Sequence, residues 1–277
     1  QNKSFSMDGT YEVSLILESN FGCIDSLNLN IIVFPKPAPA FTLNDSGQCF
    51  RGHNFLTDNL SAISSGTVSY DWNFGDGTTS TDFEPQKTYS VLGDYSIRLL
   101  VTSNNSCVDS VEKEVRVFAQ PTAQLTVNDS QQCFKNHEIQ LSETGSLAAG
   151  TYSRLWDFGD GNTSALVDPV VNYTSANSYN VQLIATTGSG CADTVTEVVM
   201  VKESPLDTIT SISSGLDGKG TMIFTADVAP NSSYIWFFGD GNTEAGTSAS
   251  GALTTTHQYQ YDANFEVILH VTKNGCQ

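Results

Sequence analysis

The chain has 277 residues, 39% of them hydrophobic, with 30 acidic against 12 basic side chains and a net charge of −18. Length alone suggests one or two domains, and the apolar fraction is enough for packed cores. Nucleic acid and anionic membrane surfaces are excluded as partners, because both are held by clustered Lys and Arg. Direct membrane insertion is excluded too, since no run approaches the roughly 18 apolar residues needed to span a bilayer. Residue 1 falls in the middle of a repeat unit, so the lack of a leader peptide says nothing about export.

In chain order, Gly9-Thr10-Tyr11 to Cys23 reads as the tail of one unit, because it returns 84 residues later as Gly93-Asp94-Tyr95 to Cys107. A first boundary falls at Pro35-Lys36-Pro37. The run Asn44-Asp45-Ser46-Gly47-Gln48-Cys49-Phe50 opens the next unit and returns as Asn128-Asp129-Ser130-Gln131-Gln132-Cys133-Phe134. The run Trp72-Asn73-Phe74-Gly75-Asp76-Gly77 returns as Trp156-Asp157-Phe158-Gly159-Asp160-Gly161, and again as Trp236-Phe237-Phe238-Gly239-Asp240-Gly241. Further boundaries stand at Gln120-Pro121 and Ser204-Pro205. The expected units are therefore 1–36 (the end of a repeat), 37–120, 121–204, and 205–277 (a repeat lacking its last strand), cut from a longer array. Short proline linkers are stiff and predict an elongated rod.

Within a unit the apolar period is two. Tyr95, Ile97, Leu99 and Val101 alternate with Ser96, Arg98, Leu100 and Thr102. Tyr179, Val181, Leu183 and Ala185 repeat the pattern, and Val111, Val115 and Val117 mark the following strand. Turn residues punctuate the chain every 8–12 residues or so, and no amphipathic helix stands out. The expectation is an all-β chain of sandwiches, each with seven or eight short strands in two sheets. Trp72, Trp156 and Trp236 read as core plugs, with Phe74, Phe158 and Phe238 on the same face two residues on. Asp76-Gly77, Asp160-Gly161 and Asp240-Gly241 read as type I′ hairpin turns.

Trp-Asp-Phe-Gly-Asp-Gly, followed by Tyr89 with Gly93-Asp94-Tyr95-Ser96-Ile97, and by Tyr173 with Tyr179-Asn180-Val181, resembles the PKD (polycystic kidney disease) domain. The resemblance covers nearly the whole chain and implies tandem Ig-like β-sandwiches. Asn73 and Phe237 depart from the motif's first Asp, Asn177 from the Gly before Tyr179, and Phe265 from its Tyr. The cysteine-bearing repeats also resemble those of large Bacteroidetes surface proteins, such as gliding-motility adhesins exported by type IX secretion.

Six cysteines are present, and none forms a Cys-x-x-Cys pair, which argues against zinc. Three pairings are open. Within a unit, Cys49 would join Cys107 and Cys133 would join Cys191. Pairing forward would join Cys23 to Cys49 and Cys107 to Cys133. The third joins Cys49 to Cys191 and Cys133 to Cys276, leaving Cys23 and Cys107 to partners upstream. Ig-like wiring places the first turn and the last hairpin at opposite poles of a domain, about 20 Å apart, beyond the roughly 7 Å reach of a disulfide. The third pairing is therefore preferred, with pairing within a unit next.

No catalytic constellation emerges. His53 and His137 share one repeat position, which favours a structural role, and His257 and His270 lie late in the fourth unit. The repeated Asp76, Asp160 and Asp240 read as turn formers. No cofactor is expected. Calcium is the alternative for the oxygen-rich Asn44-Asp45 and Asn128-Asp129, although Asx turns explain them equally well. The expected function is a stalk in a secreted cell-surface adhesin, whose partners are neighbouring repeats and an unidentified adhesive target or glycan. An accessory module of a secreted polysaccharide- or protein-degrading enzyme is the alternative. Direct glycan binding would call on exposed aromatics such as Tyr152, Tyr234 and Tyr261.

Overall fold

A computed structural model describes residues 2–205, 207–214 and 220–277. All regular structure in them is β-strand, as the period-two pattern requires. The chain forms two compact units. One comprises Gln1–Gln120 with Ala148–Gly150 and Ser189–Cys191, and the other comprises Pro121–Leu147, Thr151–Gly188 and Ala192–Gln277.

The first unit opens with a hairpin of β1 (Gly9–Glu18) and β2 (Ile24–Val33), paired over ten residues. Eight strands follow: β3 (Phe41–Leu43), β4 (Gly47–Cys49), β5 (Phe55–Asn59), β6 (Val68–Asn73), β7 (Thr79–Ser80), β8 (Gln86–Lys87), β9 (Gly93–Ser103) and β10 (Val108–Phe118). They make a sheet ordered β4-β10-β9-β6-β7 and a second ordered β3-β5-β8. Alternate residues of the two sheets meet in one core around Trp72, Phe55, Ile97, Leu99 and Val101, none of which is exposed. The equivalent positions on β1, Val13, Leu15 and Leu17, are 41%, 55% and 61% exposed. The same alternation is thus present there, without a facing sheet among the described residues.

The second unit repeats the plan with β11 (Leu125–Val127), β12 (Gln131–Cys133), β13 (Ile139–Glu143), β14 (Tyr152–Asp157), β15 (Thr163–Ser164), β16 (Val170–Val171), β17 (Asn177–Thr187) and β18 (Ala192–Lys202). Its sheets are ordered β12-β18-β17-β14-β15 and β11-β13-β16, closed over Trp156. A further sandwich in this unit comprises β19 (Asp207–Ser214), β20 (Thr221–Val228), β21 (Ser232–Phe237), β22 (Thr243–Ser248), β23 (Ala252–Gln258) and β24 (Ile268–Thr272). Its two three-stranded sheets, β19-β20-β23 and β22-β21-β24, close over Trp236.

Candidate functional site

The repeated hairpin after β6, β14 and β21 is built differently from a type I′ Asp-Gly turn. Phe74 N–H donates to Thr78 O at 3.2 Å, so the loop holds three residues, Gly75-Asp76-Gly77. The two glycines, not the aspartate, take positive φ, at 79° and 88°. Asp76 acts through its side chain instead, accepting from Thr78 N–H at 3.1 Å. A Cβ on Gly75 would stand 2.9 Å from Ser96 O, on Gly159 2.7 Å from Asn180 O, and on Gly239 2.6 Å from Glu266 O. This glycine therefore lets the turn press against the backbone of a neighbouring segment, β9 and β17 in the first two cases and the stretch leading into β24 in the third, a requirement separate from its φ. Asn73 and Asp157 accept from the N–H of Gly75 and Gly159, both at 2.9 Å, which explains the polar residue before Phe in those repeats.

The turn is tied to the core by aromatic hydroxyls. Tyr89, Tyr173 and Tyr259 donate to Phe74, Phe158 and Phe238 carbonyls at 2.8–2.9 Å. Burial pushes the Tyr89 and Tyr173 phenols well above their usual range, reinforced by the nearby Asp76 and Asp160 respectively. Trp72 and Trp156 donate to Asp82 O and Leu166 O at 2.9 Å. Trp236 Nε1 is buried without a hydrogen-bond partner among the described residues.

Each turn aspartate has its own setting. Asp76 pairs with Lys87 at 2.6 Å, and that ammonium lies over the Phe74 and Tyr89 rings. Burial raises the Asp76 pKa, but the hydrogen bonds of Lys87 and Thr78 prevail and hold it below the usual value. Asp240 meets His257 Nε2 at 2.8 Å. Burial again opposes ionisation, and hydrogen bonds from His257 and Asn242 overcome it, leaving the carboxyl at about 2. His257 also stacks on Phe238, with ring centres 4.1 Å apart.

The early cysteines lie on strands rather than simply beside a turn. Short β4 crosses to the other sheet and pairs in parallel with the end of β10, Phe118 opposite Cys49. Likewise β12 pairs with β18, Lys202 opposite Cys133. Beyond the strand, Phe50 N–H donates to Phe118 O at 3.0 Å and Phe134 N–H to Lys202 O at 2.8 Å. A histidine then closes the segment. His53 Nδ1 meets Phe50 O and its Nε2 meets Tyr89 N–H, both at 2.7 Å. A carbonyl only accepts and an amide N–H only donates, so the proton sits on Nδ1. His137 makes the same clamp with Phe134 O and Tyr173 N–H.

Asn44, Asp45, Asn128 and Asp129 serve this segment as well. Asn44 Oδ1 accepts from Leu56 N–H at 3.0 Å and Gln48 Nε2 at 3.3 Å, and its Nδ2 donates to Asn54 O. Asn128 does the same with Gln140, Gln132 and Glu138. Asp45 and Asp129 accept from Gly47 and Gln131 N–H in Asx turns. Their oxygens are thus engaged in shaping the strand, and among the described residues no cluster of three or more His, Cys, Asp or Glu could hold a metal.

The structure joins Cys49 to Cys191, with Cα atoms 5.6 Å apart, and Cys133 to Cys276, at 5.5 Å. Sequence separations are 142 and 143. Cys191 and Cys276 are buried, whereas Cys23 and Cys107, at the same hairpin position in their repeats, are free thiols. The hairpins at Cys23 and Cys107 are closed alike, by Ser19 N–H to Cys23 O at 2.9 Å and Ser103 N–H to Cys107 O at 2.8 Å.

Of the candidate glycan contacts, Tyr152 is half-buried, and its phenol is raised chiefly by the neighbouring Glu143 carboxylate. Tyr234 packs against the last core. Tyr261, 63% exposed, leans on Phe265 rather than on a core, and borders a cleft of about 360 Å³ with Met222, Phe224 and Tyr259. His270 sits edge-on to Phe237. Sequence reading missed the Asn44–Gln48 network and the Tyr-to-carbonyl ties. The recurrence of Asn, Gln and Tyr at fixed offsets was the available signal.

The family model for the PKD domain matches residues 37–119 and 118–202. A microbial collagenase from Vibrio alginolyticus is 30% identical over 156 residues, 56% of this chain and 17% of that protein. Human polycystin-1 is 28% identical over 216 residues, 74% of this chain and 5% of that protein. The chain thus spans a small part of these curated relatives. Among solved structures, the PKD1 domain of the Vibrio cholerae metalloprotease PrtV is 31% identical, with a TM-score of 0.26. It covers 31% of this chain and 98% of that one.

Proposed function

The chain belongs to the PKD domain family, and from that premise we propose that it is a spacer, an extracellular stalk segment that holds another part of its protein at a distance. The observation that carries this reading is the pair of disulfides, each tying an early strand of one repeat to the last hairpin of the next. Disulfides persist outside the reducing cytosol, which fits an extracellular location. The repeated Trp, Phe, Asp, Gly and Tyr of the motif are engaged in turns, cores and strand ties. The finer reading, within the same proposal, is a surface adhesin of the gliding-motility type, in which the stalk holds a binding tip away from the cell. A second reading, an accessory module beside a secreted degradative enzyme, is favoured by the collagenase and metalloprotease relatives.

Fold alone does not assign function, so the test replaces residues. Residues 37–204 of the full-length protein are exchanged for an unrelated β-sandwich array of equal length. A spacer predicts that adhesion or catalysis elsewhere in the protein survives. Loss of binding to the target, with surface display intact, would show that the repeats themselves bind.

A further inference from the structure

The two disulfides overlap along the sequence. Cys133 lies inside the loop closed by Cys49–Cys191, and Cys191 lies inside the loop closed by Cys133–Cys276. That interleaving has a topological consequence independent of how the repeats are oriented. A pull on the two ends enters at Cys49 and leaves at Cys276. The shortest covalent route between them crosses to Cys191, runs backwards along the 58 residues to Cys133, and crosses to Cys276. Residues 50–132 and 192–275 lie off that route. Two of the three proline linkers, Gln120-Pro121 and Ser204-Pro205, fall in these bypassed stretches, whereas Pro35-Lys36-Pro37, ahead of Cys49, stays on the route.

We propose that the interleaved disulfides carry tension around the Gln120-Pro121 and Ser204-Pro205 linkers, so that the chain resists over-extension and stays in one piece when either of them is cut. A backbone cut at Gln120-Pro121 leaves Cys49 bonded to Cys191 on the other fragment. A cut at Ser204-Pro205 leaves Cys133 bonded to Cys276. Pro121 and Pro205 are buried and Gln120 and Ser204 half-buried, so a protease reaches these junctions only when they open, and the arrangement keeps the chain joined at that moment. The early cysteines are suited to the task. Each sits on a strand paired in parallel with the last long strand of its repeat and clamped behind by a histidine, so a pull on the sulfur is delivered to a sheet rather than to a loose loop.

The same logic explains why the cysteine partner lies in the next repeat. A bond within one repeat would shorten that repeat and leave the linkers in the path. The inference rests on the spacer reading only for its purpose, and the route itself rests on the two disulfides.

The experiment is single-molecule extension of residues 1–277 held at both ends, with Cys23→Ser and Cys107→Ser present to prevent thiol exchange. At roughly 3.5 Å per residue, the oxidised chain should reach a limit of about 380 Å and the reduced chain about 970 Å, a roughly 2.5-fold change. Adding Cys49→Ser or Cys133→Ser removes one crossing and should give about 470 Å in either case. In parallel, a protease site is placed at each of these two linkers. The oxidised, cut chain should migrate as one species and separate only on reduction. An oxidised chain that extends to the reduced limit, or fragments that part without reductant, would overturn the proposal. Either result leaves the repeat-exchange test of the spacer reading undisturbed.

Discussion

Asp240 shows how one carboxylate can be held ionised while nearly enclosed. Its depressed value of about 2 comes from His257 and Asn242 acting against burial. A depressed folded-state carboxyl contributes stability fully above its ordinary value near 4, and that contribution is lost as pH falls through about 2. Carbon-detected NMR of the native chain should therefore show Asp240 titrating near 2, and His257→Ala should move the midpoint upward. An unchanged midpoint would mean that the imidazole is not the source. The glycines give a second contrast. Gly75 combines positive φ with a Cβ position 2.9 Å from Ser96 O, whereas Gly77 has positive φ and open space. Gly77→Ala should cost about 1 kcal/mol, the conformational penalty alone. Gly75→Ala should cost distinctly more, because backbone must move. Denaturant titration of the two variants would compare them, and equal losses would discount the close approach.

Among the elements, β4 and β12 carry the cysteines yet hold only three residues each. Their pairing with β10 and β18 is supplemented by the His53 and His137 clamps. His53→Ala leaves the buried Tyr89 N–H without its acceptor, an effect of about 1–3 kcal/mol. Hydrogen exchange should quicken at Tyr89 and along 47–50, with the central β9 amides protected as before. A uniform change across the repeat would point to general destabilisation instead. These short strands also mark the limit of what the sequence makes legible. Long β9, β10, β17 and β18 announce themselves by alternation of Ile97, Leu99 and Val101 or Val181, Leu183 and Ala185. A three-residue strand has no period to read. Gly47-Gln48-Cys49 becomes a strand because Gln48 and Asn44 bridge it to Asn54 and Leu56, contacts between residues several positions apart. The Phe-Gly-Asp-Gly turn was legible as a hairpin. Its three-residue loop was not, because the need for glycine at Gly75 arises from a strand more than twenty residues away.

At the level of the whole molecule, the three sandwiches differ in how fully they are tied. The two enclosing Trp72 and Trp156 each have a five-stranded sheet, and both indoles are hydrogen-bonded. Among the described residues, the one enclosing Trp236 has two three-stranded sheets and a buried indole N–H without a partner, a deficit of about 1–3 kcal/mol by itself. Phe265 also stacks on Tyr259 where the others stack two tyrosines, so the second hydroxyl tie seen at Tyr95 and Tyr179 has no counterpart there. This sandwich should therefore be the first to open, and the Cys133–Cys276 disulfide is what limits its opening. A crosslink over 143 residues restricts the unfolded chain by about 5 kcal/mol in the loop-entropy picture, an upper figure where two loops overlap. Several sandwiches in one chain are not a two-state system, so calorimetry should show more than one transition. Cys133→Ser with Cys276→Ser should lower the earliest transition and quicken exchange in β20–β24, while amides of β5, β6 and β9 hold their protection. Cys49→Ser with Cys191→Ser should act instead on the first two sandwiches. If both pairs of substitutions lowered every transition equally, the sandwiches would be melting as one block, and the ranking by their ties would be wrong.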